Sequence, residues 1–139
     1  MEATKEYLNT VRRLSVKIKR KEEELEILKI ERASTGNFST DEKVKSSKSK
    51  DKVSALAIEI VTLEKEIEEL RAEKATVKKD INSILNEIED ENLYSVLHLR
   101  YIQGKTVEAI ADELGYTDRH IRNLNKDAIE VFKLLREKR

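Results

Sequence analysis

A heptad pattern constrains the fold of this chain more than any other feature. Apolar side chains recur at alternating steps of three and four residues, interrupted by one lysine. The positions are Val53, Leu56, Ile60, Leu63, Ile67, Leu70, Lys74, Val77, Ile81, Ile84 and Ile88. This spacing places them on one narrow face of an α-helix, which is typical of a helix packed along its length against another helix. The sequence therefore predicts one long coiled-coil helix.

A shorter stretch near the start of the sequence has the same spacing. Its seam positions are Tyr7, Val11, Leu14, Ile18, Lys21, Leu25 and Leu28, and we predict a helix from about Thr4 to Ala33. Residues 34–50 are rich in Ser, Thr and Lys and contain Gly36, so they are predicted to form a loop that reverses the chain. The two helices are thus expected to pack antiparallel.

The charges flanking the two seams favour the same pairing. Folding the chain back brings the basic residues between Arg12 and Lys21 beside the carboxylates between Glu64 and Glu73. An exposed ion pair contributes less than about 1 kcal/mol, so the charges are expected to set orientation while the seams supply most of the stability.

Several apolar residues lie off these seams and indicate a second buried face. They are Leu8, Ile27, Ile30, Ile58, Val61 and Leu85. The simplest partner for such a face is another copy of the chain, so a homodimer or tetramer is expected.

Composition excludes several classes of protein. Charged residues make up 40% of the chain and aromatic residues 4%, which leaves too little bulky apolar material for a large globular core. The chain has no Cys, two distant His and no Gly-rich phosphate loop, so we predict no disulfide, metal site or cofactor, and no enzyme activity. No apolar run is long enough to cross a bilayer and no signal peptide is recognisable, so a cytoplasmic protein without membrane contact is expected.

After Ile88 the sequence indicates three further helices. The first runs to Gln103 and is ended by Gly104, while Thr106 and Thr117 are positioned to cap the next two. Apolar and small residues follow at the offsets that a helix-turn-helix requires: Ile110, Ala111, Leu114, Gly115, Ile121 and Leu124. The chain is therefore predicted to be all-α, with a long antiparallel helical hairpin over residues 1–89 and a helix-turn-helix domain over 90–139.

The exposed face of the second helix of this motif is the candidate DNA-reading surface. Arg and Asn side chains can bond guanine and adenine edges, whereas Lys suits phosphates. The predicted DNA-binding residues are Thr117, Asp118, Arg119, His120, Arg122, Asn123 and Lys126, and the tail residues Lys133, Arg136, Lys138 and Arg139 are predicted to contact phosphates. Lys+Arg and Asp+Glu number 28 each in the whole chain, so any nucleic-acid surface must be local.

The segment VLHLRYIQGKTVEAIADELGYTDRHIRNLNKDAIEVF resembles region 4 of sigma factors. Through KEYLNTVRRL and DEKVKSSKSKDKV the chain is also similar to small phage and prophage proteins of Gram-positive bacteria, including late-gene regulators of the ArpU/RinA type. The resemblance implies control of phage transcription, with RNA polymerase as a further partner. A sigma factor also needs a promoter-melting region, and a hairpin precedes the motif here, so the resemblance implies a regulator and not an autonomous sigma factor.

The function expected from the sequence is thus sequence-specific binding of double-stranded DNA by an oligomeric transcription regulator. Two alternatives stay open. A small terminase subunit combines the same motif with oligomerising helices for DNA packaging, and a coiled-coil structural adaptor would not bind DNA. The number of subunits and the response to DNA distinguish the regulator, the packaging protein and the adaptor.

Overall fold

A computed structural model describes the backbone of residues 2–37 and 46–139, and the side chains of residues 2–34 and 51–139. Every regular element in these residues is helical, so the predicted all-α class is confirmed. The elements are α1 (Glu2–Leu8), α2 (Thr10–Asn37), α3 (Ser46–Leu85), α4 (Glu91–Leu97), a π-helical segment (His98–Ile102), α5 (Val107–Leu114) and α6 (Asp118–Glu137).

Helices α2 and α3 both extend into the segment predicted as a loop, residues 34–50. Residues 34–37 and 46–50 are helical, and the remaining part of the predicted loop, 38–45, lies outside the described residues. The segment contains no Pro. A single Gly costs a helix only about 1 kcal/mol, so a polar composition with Gly36 does not by itself end α2.

The chain divides into two compact units. We call residues 16–72 the middle unit, and residues 1–15 together with 73–139 the terminal unit. This division does not coincide with the predicted boundary between domains 1–89 and 90–139. Residues from the start of the chain and from the end of α3 instead pack with the helices that follow them.

The middle unit consists of parts of α2 and α3 that contact each other through apolar seam residues. The buried residues Ile18, Leu63 and Ile67 form its core, flanked by Leu25, Leu28 and Leu70. Two ion pairs also join the two helices. The Lys21 ammonium lies 2.9 Å from a Glu66 carboxylate oxygen, and the Arg71 guanidinium lies 2.8 Å from a Glu22 carboxylate oxygen.

The terminal unit has a larger core that joins α1, the end of α3, α4 and α6. Its buried residues are Leu8, Val11, Ile81, Ile84, Leu85, Ile88, Leu97, Tyr101, Ala128, Ile129 and Phe132. Leu8 and Leu85 are completely buried here. The prediction that these two residues belong to a face covered by another copy is therefore wrong, because the chain's own α6 covers them.

Tyr7 links α1 to two other helices of the terminal unit. Its hydroxyl donates a hydrogen bond to the Asp80 carboxylate on α3, and its ring centroid lies 6.5 Å from that of Phe132 on α6. Burial and the Asp80 hydrogen bond together raise the pKa of Tyr7 to about 12.

Among the described residues, no helix combines the length and the apolar character that crossing a bilayer requires.

Candidate nucleic-acid interface

A second apolar cluster of the terminal unit fixes α5 against α6. Its buried residues are Val96, Leu99, Ile110, Ala111 and Ile121, and Val107, Leu114 and Leu124 pack against them. The apolar positions that the sequence assigns to the inside of the motif are thus buried or half-buried: Ile110, Ala111, Leu114, Ile121 and Leu124. The outward side of α6 is held in place by this packing.

The connection between α5 and α6 depends on Gly115. Its φ is +76°, in the left-handed region that glycine enters without strain. The backbone N–H groups of Gly115 and Tyr116 both donate to the Ala111 carbonyl at 2.9 Å. These two bonds end α5 and allow the chain to enter α6 within three residues.

Two threonines cap the helices that follow them, as the sequence predicts. The Thr106 hydroxyl oxygen accepts from the Ala109 N–H at 3.1 Å, and the Thr117 hydroxyl oxygen accepts from the His120 N–H at 3.1 Å. The Thr117 oxygen therefore has a structural role at the start of α6. Its hydroxyl hydrogen can still be donated to a phosphate.

Four predicted reading residues share one exposed stripe of α6. They are Arg119, Arg122, Asn123 and Lys126, which are all exposed. The buried residues Ile121, Ala128 and Ile129 lie on the other side of the same helix. Two guanidinium groups, one carboxamide and one ammonium group thus lie together on an exposed surface of α6 that takes no part in the apolar core.

The neighbours of this stripe moderate its positive charge. A guanidinium nitrogen of Arg122 lies 4.0 Å from a Glu108 carboxylate oxygen on α5, and both side chains are exposed, so solvent screens the pair. Such a contact is weak enough to be exchanged for a phosphate or a base. Asp118 is half-buried in the first turn of α6, where a carboxylate stabilises the positive end of the helix.

His120 occupies the rim of the stripe. Its ring packs edge-on against Tyr116, with 4.6 Å between the ring centroids. The pair is exposed, so the imidazole lies beside the stripe and not in the apolar core.

The predicted phosphate contacts of the tail need a correction. The Arg136 guanidinium lies over the Tyr7 ring, and Arg139 donates to the Ser83 hydroxyl oxygen at 3.0 Å and to Glu87 at 3.1 Å. Both groups have partners within the terminal unit because the end of α6 packs beside α1 and α3. Lys133 and Lys138 remain candidates for phosphate contact.

The π-helical segment that precedes α5 was not predicted from the sequence. The Gln103 N–H donates to the His98 carbonyl five residues earlier, and the Lys105 N–H donates to the Leu99 carbonyl. Within this wider turn, Leu99 lies in the cluster beneath α5 and Tyr101 lies in the larger core. No residue type in this segment signals the change, since its apolar spacing resembles that of an ordinary helix.

The described part of the chain gathers no group of three His, Asp or Glu side chains that could hold a metal ion.

A family model described as a protein of unknown function (DUF1492) matches residues 32–133. The matched segment includes the whole exposed stripe of α6. Neither the curated proteins nor the solved structures contain a match to this chain.

Proposed function

The chain belongs to the DUF1492 family of proteins of unknown function, and we propose that it is a sequence-specific DNA-binding transcription regulator that acts as an oligomer. The observation that carries the proposal is the exposed stripe of Arg119, Arg122, Asn123 and Lys126 on a helix whose other side is fixed by α5.

In this proposal α5 and α6 form a helix-turn-helix, and α6 enters the major groove. Arg119 and Arg122 bond guanine edges through paired donors, and Asn123 bonds an adenine edge in the same way. Lys126 contacts the phosphate backbone, as does the Thr117 hydroxyl at the start of the helix. The short connection through Gly115 supports this assignment, because a recognition helix needs a partner helix that crosses it closely.

The middle unit supplies the oligomerising element in the form of an antiparallel coiled coil. Glu22 pairs with Arg71, whereas Leu28, farther along α2, shares a groove with Ile58, earlier in α3. These contacts support two helices that run in opposite directions. A single small helix-turn-helix makes few base contacts, and joining two of them raises the local concentration of the second. The proposal therefore includes a binding site with two half-sites.

The assignment to transcription is supported by the resemblance of residues 96–132 to sigma factor region 4, and control of phage genes and contact with RNA polymerase are included in the proposal on the same ground. Binding is expected to weaken steeply with salt, because lysine and arginine release counterions from DNA.

The proposal is tested by sequencing genomic DNA fragments that the purified protein selects, followed by gel-shift titration of the enriched site. Arg119→Ala combined with Arg122→Ala should abolish preference for that site. The matched control is Lys19→Ala with Arg20→Ala, which removes the same charge from exposed positions of α2. Retention of the preference by the first variant refutes the reading face.

The two alternatives give other outcomes. Lack of any enriched fragment identifies a structural adaptor. A ring of many subunits that binds DNA identifies a packaging protein.

A further inference from the structure

One part of α3 is apolar almost all round. Between Val53 and Leu63 the one charged residue is Glu59, in a chain of which 40% is charged. The seam side of this stretch is buried through Leu56, Ile60 and Leu63. A helix that is apolar on every side is normally covered on every side, and α2 covers one.

The uncovered side forms a continuous stripe, which we call the α3 stripe. It consists of Asp51, Ser54, Ala55, Ile58, Val61, Thr62 and Lys65, all of them exposed. Ile58 and Val61 are 67% and 64% exposed. Their neighbours Ala55 and Thr62 are small enough to let another helix approach closely. Charges occur at the two ends of the stripe, with opposite signs.

We propose that the α3 stripe is the surface through which two copies of this chain associate, with the two α3 helices antiparallel about a two-fold axis at Ile58. A two-fold contact places the same surface of both copies together, so the surface must complement itself. An apolar centre is complementary to itself, because it brings no like charges together.

The charges at the ends select the antiparallel direction. Asp51 and Lys65 lie seven residues before and after Ile58. An antiparallel arrangement centred there sets Asp51 of each copy against Lys65 of the other. A parallel arrangement would instead set like charges together.

The outer side of α2 also exposes two isoleucines but does not meet these conditions. Ile27 and Ile30 are 64% and 59% exposed. The same two-fold operation about Ile27 would set Glu23 against Glu31 of the other copy, and like charges in contact oppose association. The two isoleucines of α2 therefore provide a matched control.

The first test measures the mass of the full chain in solution by light scattering. The wild type should show about twice the chain mass of 16.1 kDa. Ile58→Glu combined with Val61→Glu should be monomeric at the same concentration, because each substitution would bury a carboxylate. Ile27→Glu combined with Ile30→Glu should remain dimeric. A monomeric wild type, a dimeric α3 variant or a monomeric α2 variant overturns the inference. Far-ultraviolet circular dichroism must show that both variants keep their helix content.

The second test uses the absence of cysteine from the chain. Ile58→Cys introduces one thiol close to the proposed axis, and mild oxidation should link two chains, because a disulfide requires Cα atoms within about 7 Å. Ile30→Cys should not form this link. Equal linking of the two variants, or linking of the second alone, contradicts the proposal.

The third test exchanges the charges at the ends of the stripe. Lys65→Asp should weaken the dimer several-fold, and adding Asp51→Lys to the same chain should restore it. Failure of the double variant to recover overturns the antiparallel arrangement.

This inference rests on the proposed oligomeric state but not on DNA binding. A monomeric wild type that still selects its DNA site overturns the inference and the proposed oligomeric state but leaves the proposed DNA binding intact. A dimer with the expected cross-link that selects no DNA overturns the proposed function alone.

Discussion

The guanidinium carbon of Arg136 lies 3.8 Å from the centroid of the Tyr7 ring. The same tyrosine donates a hydrogen bond to Asp80. A residue near the start of the sequence is thereby held between α3 and the end of α6, the helix that carries the candidate reading face. We expect the stability of that helix to depend on Tyr7 and on the apolar residue that follows it.

The pH dependence of stability should reveal the Tyr7 contact. Burial first, and then the hydrogen bond and negative charge of Asp80, raise the pKa of Tyr7 from 10.0 to about 12, against the opposing effect of Arg136. The folded chain thus holds this proton more tightly than the unfolded chain. The resulting stabilisation is fully present below pH 10 and is lost as the pH rises towards 12.

The measurement is the free energy of unfolding in urea for the wild type and for Tyr7→Phe across this alkaline range. The difference between them should shrink as the pH rises. A difference that stays constant would contradict the assigned contact.

Leu8 should be essential for the terminal unit although it lies far from α6 in the sequence. Leu8→Ala removes a fully buried side chain and should lower the free energy of unfolding by about 2–5 kcal/mol. Leu134→Ala changes an exposed leucine and should cost less than about 0.5 kcal/mol. Denaturant titration compares the two. Equal effects would mean that α1 is not part of this core.

Gly115 should be sensitive to backbone strain and not to crowding. An added Cβ would meet no atom within 4 Å, but φ is +76°. Gly115→Ala should therefore cost about 1–2 kcal/mol through strain alone. Gly115→Asn should cost less, because Asn tolerates the left-handed region. Thermal unfolding distinguishes these variants, and a larger cost for Asn than for Ala would indicate a steric cause.

Thr117 should contribute to stability in the absence of DNA. Thr117→Ala removes the acceptor for the His120 N–H and should cost about 0.5–2 kcal/mol, whereas Thr117→Ser keeps the hydroxyl and most of the stability. The measurement is denaturant unfolding of the free protein. An unchanged midpoint in Thr117→Ala would show that the cap is energetically unimportant.

Lys126 and Arg122 should affect DNA binding differently if the proposed function is correct. Lys126→Ala should reduce the slope of log affinity against log salt by about 0.9 while leaving sequence preference unchanged. Arg122→Ala should lose about 1–3 kcal/mol of discrimination at one base pair. Binding assays at several salt concentrations with single-base variants of the site measure both effects. Loss of discrimination in the lysine variant would reverse the assigned roles.

The seams and caps could be predicted because their causes are local. Leu56, Ile60 and Leu63 are buried as the heptad spacing indicates. Thr106, Gly115 and Thr117 occupy the helix ends that their own side chains or backbone preferences favour. In each case the residues that are close in the sequence are enough to predict the feature.

The remaining features depend on residues that are distant in sequence. Leu8 and Leu85 lie off the seams as Ile58 does, yet they are buried, because α6 lies against them. In the sequence, Arg136 and Arg139 resemble phosphate-binding residues. In the folded chain they contact Tyr7 and Glu87. The α6 stripe was predictable because amphipathic spacing marks the exposed side of a helix.

The core of the terminal unit also limits the order in which parts of the chain can fold during synthesis. Leu8 packs in one core with Phe132, so it has no native partner on α6 until more than a hundred further residues have been translated. At about 5–20 residues per second this interval is roughly 6–25 s. The middle unit contains both of its helices by residue 72 and can form much earlier. During that interval the apolar side of α1 has no α6 to pack against. Slower translation of the last helices would prolong the exposure of this side of α1.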